Sequence, residues 1–150
     1  MPCKFLTALP VYNEVNSVNE VLDEVTQHSE HVLVVDDGSS DKTTEVAEQI
    51  FAEFPSIQTK AIRYDENRGK GFAVKLGMQK SIGKIALFSD ADLSTPIEEM
   101  PKLIKPIQNG SFDITFGSRA LDRTLIGERQ PWRREQGGKV FNLFVRFLTG

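Results

Sequence analysis

The sequence predicts an α/β fold, a mostly parallel sheet flanked by helices on both faces, and two observations carry that expectation. Short apolar runs rich in Val, Ile, Leu or Phe alternate along the chain with longer stretches whose apolar residues recur at three and four. Such alternation calls for parallel strands joined by right-handed helical crossovers. The chain has 150 residues, enough for one domain that buries roughly 70% of its unfolded surface.

The elements follow in order. The runs "KFLTALP", "HVLVVDD", "QTKAIRY", "KIALFSD" and "FDITFGS" read as five strands, all buried except the third, which looks like an edge. Between the first two, Val15, Val18, Val21, Leu22 and Val25 keep helical spacing. Val46, Ala47 and Ile50 do so before the third strand, and Phe72, Ala73, Leu76 and Gly77 before the fourth. Met100, Leu103, Ile104 and Ile107 form the fourth helix, whose start is written in "TPIE": Thr95 caps, Pro96 suits the first turn and Glu98 completes a capping box. An irregular basic loop and a final helix near 138–148 close the chain, with no repeat, linker or low-complexity segment.

Composition excludes several classes. With 39% hydrophobic and 26% charged residues the chain is that of an ordinary globular protein. No stretch approaches the ~20 apolar residues of a membrane span, and no secretory leader is expected at "MPCKFLTALPV". The single Cys3 reads as a structural thiol in a reducing compartment. His28 and His31 flank a helix-to-strand junction with no third ligand nearby, so solvated or capping roles are expected of them. The net charge of −3 is uneven: residues from Arg119 onward carry +4 and the rest −7. That tail fits either an anionic partner such as a phosphate or lipid headgroup, or a solvated basic helix.

In a parallel sheet the strands end at one edge, where ligands bind. Here "PVYNE", "DDGSSD", "ENRGKG", "DADLSTP" and "GSRA" follow the strands, so carboxylates and glycines gather on one rim. Asp90 and Asp92 lie two apart on an extended segment, point the same way and repel unless a cation lies between them. They fit Mg²⁺ or Mn²⁺, which takes one or two protein carboxylates and completes its shell with water and phosphate oxygens. One of Asp36 and Asp37 must point back toward the sheet, and a carboxylate there is placed to accept from a nucleobase N–H. "NRGKG" offers close backbone approach at Gly69 and Gly71, and Lys70 opens a helix. The chain nevertheless lacks both G-x-x-x-x-G-K-[ST] and G-x-G-x-x-G, which removes the main support for a nucleotide triphosphatase or a dinucleotide enzyme. Arg119, Arg133 and Arg134 suit phosphate contacts as well as an exposed basic loop. Phe141, Phe144, Val145 and Leu148 line one side of the last helix, which fits core packing or a membrane interface.

Taken together and in this order, "PVYNE", "VVDDGSSDKT", "NRGKGFAV", "SDADLSTP" and "FGSR" resemble the family 2 glycosyltransferases of GT-A fold, a Rossmann-like architecture. Within it they look most like the polyprenyl-phosphate branch, the dolichyl-phosphate glucosyltransferases and mannosyltransferases. The resemblance runs from about Leu6 to Gly150. It implies a nucleotide-sugar-binding domain over 1–150, with 119–150 as basic acceptor loop and amphipathic helix, truncated at its C-terminus because family members continue with further strands and often transmembrane helices. It implies that Pro10, Tyr12, Glu14, Val35 and Asp37 hold the nucleotide. Asp90, Ala91 and Asp92 would lie at the diphosphate and metal, with Asp92 the direct ligand, and Arg119 and Arg134 would hold the acceptor phosphate.

The implied reaction is an inverting, metal-dependent transfer of a sugar from a UDP-sugar or GDP-sugar to a polyprenyl phosphate. Glucose is favoured, because Ser94 stands where mannosyltransferases of the group can carry a metal-contacting glutamine. Mg²⁺ or Mn²⁺ is the expected cofactor, no nucleic acid partner is expected, and the expected place is the cytoplasm, in peripheral contact with the cytoplasmic face of a membrane. Two alternatives stand beside it. A saccharide hydroxyl as acceptor would need a carboxylate base, for which Glu128 and Glu135 are available in the last segment. A truncated module would bind nucleotide sugar without catalysis.

Overall fold

The computed structural model describes residues 5–92, 96–117, 143, 147 and 148. The chain divides into two compact units, Met1–Thr115 and Phe116–Gly150. In the first, the elements run β1 (Phe5–Val11), α1 (Val18–His28), β2 (His31–Asp36), α2 (Thr43–Phe51), β3 (Gln58–Arg63), α3 (Lys70–Lys80), β4 (Ile85–Phe88), a 3₁₀ turn (Ile97–Glu99) and α4 (Met100–Gln108). All strand pairs are parallel, in the order β3-β2-β1-β4. β1 starts against β4 at Phe5↔Ile85, and it ends against β2 at Val11↔Asp36. β3 is an edge strand with only exposed and half-buried residues, as its sequence predicts, whereas β4, expected to be buried, lies at the other edge of the described sheet and has no fully buried residue.

β2 is buried along its whole length because both sheet faces are covered. Period-two geometry divides its side chains. Val32 and Val34 join Leu9, Val11 and the α1 residues Val18, Val21, Leu22 and Val25 in the larger core. Leu33 and Val35 join Leu6, Ala8 and Ala73 of α3 in the smaller one. α3 can approach closely because Gly77 faces the sheet: a Cβ there would meet Ala8 Cβ at 3.0 Å and Val35 Cγ2 at 3.3 Å. The connection from β3 to β4 therefore crosses the opposite face from α1 and α2. The strand order reverses between β1 and β4, and a crevice opens at such a reversal.

Three expectations are corrected. The α-helix after β4 begins at Met100, behind a single 3₁₀ turn, with Pro101 in its first turn, where a missing N–H costs nothing; Thr95 lies outside the described residues. The fifth strand is absent over the described part of "FDITFGS", and Phe112 and Ile114 are 63% and 80% exposed. Its polar groups return to α4 rather than to a ladder. The amides of Ser111 and Phe112 donate to Pro106 O at 3.0 and 3.1 Å, and Thr115 Oγ1 donates to Leu103 O at 2.8 Å. His31 is buried rather than solvated, and its Nδ1 has no hydrogen-bond partner. Burial, then the neighbouring Lys60 ammonium, holds its pKa below the usual histidine value. Of the final helix expected near 138–148, Leu143, Phe147 and Leu148 are described, and they are helical.

Candidate functional site

Three loops at the carboxyl edge of the sheet are tied to one another before any ligand is considered. The β1–α1 loop turns at Asn13, whose positive φ of 54° suits asparagine. Asn13 N donates to Ser39 Oγ at 2.9 Å, and Asn13 Oδ1 accepts from Ser40 N at 2.9 Å. Glu14 N donates to Thr43 Oγ1 at 2.9 Å, and Val15 N to Asp41 Oδ2 at 3.3 Å. Burial alone would raise the Asp41 pKa. Hydrogen bonds from the Thr43 hydroxyl and amide and from Val15 N outweigh it and hold the carboxyl below the usual aspartate value. The polar residues of "GSSDKT" thus fasten the first loop to the second.

The adjacent aspartates at the end of β2 have separate tasks. Asp36 is fully buried, and its Oδ1 accepts from Ser39 N at 2.8 Å and Ser39 Oγ at 2.5 Å, while Oδ2 accepts from Thr44 Oγ1. It is an internal clamp between β2 and α2. Asp37 faces the crevice, and its Oδ1 accepts from Tyr64 Oη at 2.5 Å and Arg68 N at 2.8 Å. Burial, and then the Asp37 carboxylate beside it, pushes the Tyr64 phenol above the usual tyrosine range. Tyr64 meets Phe72 edge to face at 5.3 Å, and the Arg68 guanidinium lies 3.8 Å over the Phe72 ring. Gly38 makes this close approach possible. Its φ is +71°, and a Cβ would meet Asn67 N and the Glu66 carbonyl carbon at 2.8 Å.

A cavity of about 330 Å³ opens at the β1/β4 switch point. Seven of the residues expected from sequence line it together: Pro10 near the end of β1, Tyr12 and Glu14 from the first loop, Asp37 from the second, and Asp90, Ala91 and Asp92 after β4. Val35 does not. It is fully buried beneath α3 with Leu6, Ala8 and Ala73, because an inward-facing position in the middle of a sheet covered on both sides is core. Arg119 and Arg134 lie outside the described residues. The wall supplied by α3 is what sequence reasoning missed, since "NRGKG" matches neither G-x-x-x-x-G-K-[ST] nor G-x-G-x-x-G and no cavity role follows from its residues alone. Asn67, Gly69 and Lys70 border the cavity, Gly69 is the N-cap with φ +86°, and the positive end of the α3 dipole faces the same space.

The first carboxylate of "DAD" meets a cation that belongs to the chain: Lys70 Nζ lies 2.5 Å from Asp90 Oδ1. Among the described residues no group of three or more His, Cys, Asp or Glu side chains could enclose a metal. The donor set nonetheless suits a hard cation of the Mg²⁺ or Mn²⁺ kind, which accepts two carboxylates and takes its other ligands from water and phosphate. Asp90 and Asp92 are the side chains that would hold it.

A family model described as glycosyl transferase family 2 matches residues 7–147. The Pyrococcus furiosus dolichol-phosphate mannosyltransferase is 36% identical over 136 residues, 88% of this chain and 37% of the relative. The Homo sapiens dolichyl-phosphate beta-glucosyltransferase is 33% identical over 150 residues, 88% and 46% of the two chains. The undecaprenyl-phosphate 4-deoxy-4-formamido-L-arabinose transferase of Photorhabdus laumondii is 33% identical over 154 residues, 98% and 45%. The chain thus spans less than half the length of these relatives. Among solved structures, a mannosyltransferase from Pyrobaculum calidifontis in complex with GDP-Man and Mn²⁺ superposes with a TM-score of 0.56 at 26% identity, over 61% of this chain and 28% of the other.

Proposed function

The chain belongs to glycosyl transferase family 2, and from that membership and the cavity we propose that it moves a sugar, glucose in preference, from a UDP-sugar or GDP-sugar to a polyprenyl phosphate. The observation that carries the proposal is the gathering of Tyr12, Glu14 and Asp37 on one side of a single cavity and Asp90, Ala91 and Asp92 on the other, beside the N-terminus of α3. A nucleoside spans the first group, with Asp37 oriented by Tyr64 and Arg68, and its diphosphate reaches the second. The relatives named for polyprenyl-phosphate substrates support the acceptor class.

The acceptor phosphate oxygen attacks the anomeric carbon from the face opposite the diphosphate. The new C–O bond forms as the bond to the diphosphate breaks, and the configuration inverts. The leaving diphosphate keeps the electron pair, so the site must stabilise negative charge there, the electrostatic role that usually contributes most. A divalent cation held by Asp90 and Asp92 supplies that stabilisation when bound. A phosphate monoester is mostly doubly ionised at neutral pH, its second pKa being about 6, so it needs placement rather than a general base. Arg119 and Arg134 are assigned that placement. Glucose is put ahead of mannose because Ser94, which lies outside the described residues, stands where mannosyltransferases of the group can carry glutamine, and because "NRGKG" and "DADLSTP" lean toward the glucosyltransferases. The basic residues beyond Arg119 would hold the chain at a membrane surface, and among the described residues no helix is long and apolar enough to cross one.

The test is transfer of labelled sugar from UDP-glucose and from GDP-mannose to dolichyl phosphate, undecaprenyl phosphate and a saccharide. Label in a lipid phosphate is expected. Label in the saccharide alone would replace this reading with the hydroxyl-acceptor one, and donor binding without transfer would leave a binding module.

A further inference from the structure

We propose that Lys70 is an exchangeable counter-ion of Asp90: its ammonium neutralises the carboxylate until a divalent cation binds, then yields it and turns to the diphosphate of the nucleotide. This inference rests on the reading of the cavity as a nucleotide-sugar site.

The two partners come from separate elements that the fold brings together. Lys70 is the first residue of α3, and Asp90 follows β4. Both line the cavity, and Lys70 Nζ lies 2.5 Å from Asp90 Oδ1. An oxygen at that distance from an ammonium is closed to a metal ion, so cation binding through Oδ1 must displace Lys70. Displacement is easy. The side chains are 59% and 48% exposed, and pairs so open to solvent contribute little. The lysine stem is long and flexible and carries a compact charge with three donors, so the head can swing while its Cα stays on the helix. Where it swings follows from the site. The N-terminus of α3 already favours an anion, and a diphosphate bridging from the carboxylate-bound cation to the α3 wall would lie within the ammonium's reach. The exchange also keeps the charge of this corner steady. Two carboxylates and one ammonium leave a single negative charge, and a divalent cation arriving with the doubly charged diphosphate of a nucleotide sugar does not change it.

Opposite effects of one substitution test the exchange. Mn²⁺ binding to the full 150-residue chain is measured by electron paramagnetic resonance of the free ion, and UDP and GDP binding in the presence of Mn²⁺ by calorimetry. Lys70→Met is compared with Lys70→Arg and with Lys102→Met, a lysine paired with Glu99 on the exposed face of α4. Lys70→Met is expected to bind Mn²⁺ alone about two- to fivefold more tightly, the worth of an exposed pair. It is expected to bind the nucleotide that wild type prefers about tenfold more weakly, the worth of a charge-assisted hydrogen bond. Lys70→Arg should recover most of the nucleotide affinity, and Lys102→Met should change neither quantity. Weaker or unchanged Mn²⁺ binding in Lys70→Met overturns the exchange, as does unchanged nucleotide binding. If wild type binds Mn²⁺ but neither nucleotide, the nucleotide-sugar reading fails and the diphosphate half of the exchange with it, while the Mn²⁺ comparison still decides the Asp90 half.

Discussion

Gly38 and Gly110 have nearly the same φ, +71° and +74°, and differ in what surrounds them. A Cβ on Gly110, just past the end of α4, would meet nothing within 4 Å. On Gly38 it would meet Asn67 N and the Glu66 carbonyl carbon at 2.8 Å and Tyr64 O at 3.2 Å, all backbone. Placing an alanine in the left-handed region costs about 1 kcal/mol at either position. Only at Gly38 does overpacking add about 1–3 kcal/mol, because the Glu66–Asn67 peptide cannot rotate aside as a side chain would, the next peptide being held through Arg68 N by Asp37. Gly110→Ala should therefore cost about 1 kcal/mol and Gly38→Ala about 2–4 kcal/mol, read from urea midpoints at a common slope. Gly38→Ala should also weaken nucleotide binding, since it pushes the segment carrying Asn67, Gly69 and Lys70 away from Asp37, whereas Gly110→Ala should not. Equal destabilisation by the two substitutions would refute the claim that close contact at Gly38 positions the α3 wall.

Tyr64→Phe should destabilise by about 1 kcal/mol through the lost hydrogen bond, and Asp37→Ala should bring the Tyr64 titration, followed by the ring resonances, back toward the ordinary tyrosine range. Asp36→Asn should cost about 2–3 kcal/mol in urea unfolding, since it puts an amide donor among the Ser39 and Thr44 donors that surround the buried carboxylate. His31 gives a pH dependence of defined sign. Its folded-state pKa lies below 6.5, so as pH falls below that value the unfolded chain takes up a proton that the folded chain refuses. Stability should then decline by at most about 1.4 kcal/mol per pH unit until the folded-state value is passed, and His31→Gln should flatten that part of the profile.

The strands and helices were legible where one physical signal acted alone. β1 and β2 are continuous apolar runs because both faces are covered, and α1 repeats valine at helical spacing because one face is. "FDITFGS" misled because alternation of apolar residues records a tendency that only a paired neighbour can realise, and here the Phe112 amide and the Thr115 hydroxyl are taken by α4. The rim was legible as chemistry, since carboxylates after each of the four strands, with glycines after β2 and β3, must face the same edge of a parallel sheet. The division of labour within it was not. Nothing in "VVDD" distinguishes the clamp Asp36 from the cavity-facing Asp37, which depends on strand phase and on Ser39, Thr44 and Tyr64. Nor does spacing along the chain reveal that Lys70 meets Asp90, twenty residues on, because a crossover helix brings them together.

The most direct test of the site is calorimetric titration of UDP-glucose and GDP-mannose into the chain, with Mn²⁺ and then with EDTA, on wild type and Asp92→Ala. Binding of one donor that requires the metal and disappears in Asp92→Ala is the predicted result. Binding that persists in EDTA and in Asp92→Ala, or binding of neither donor, would contradict a metal-assisted nucleotide-sugar site between β1 and β4.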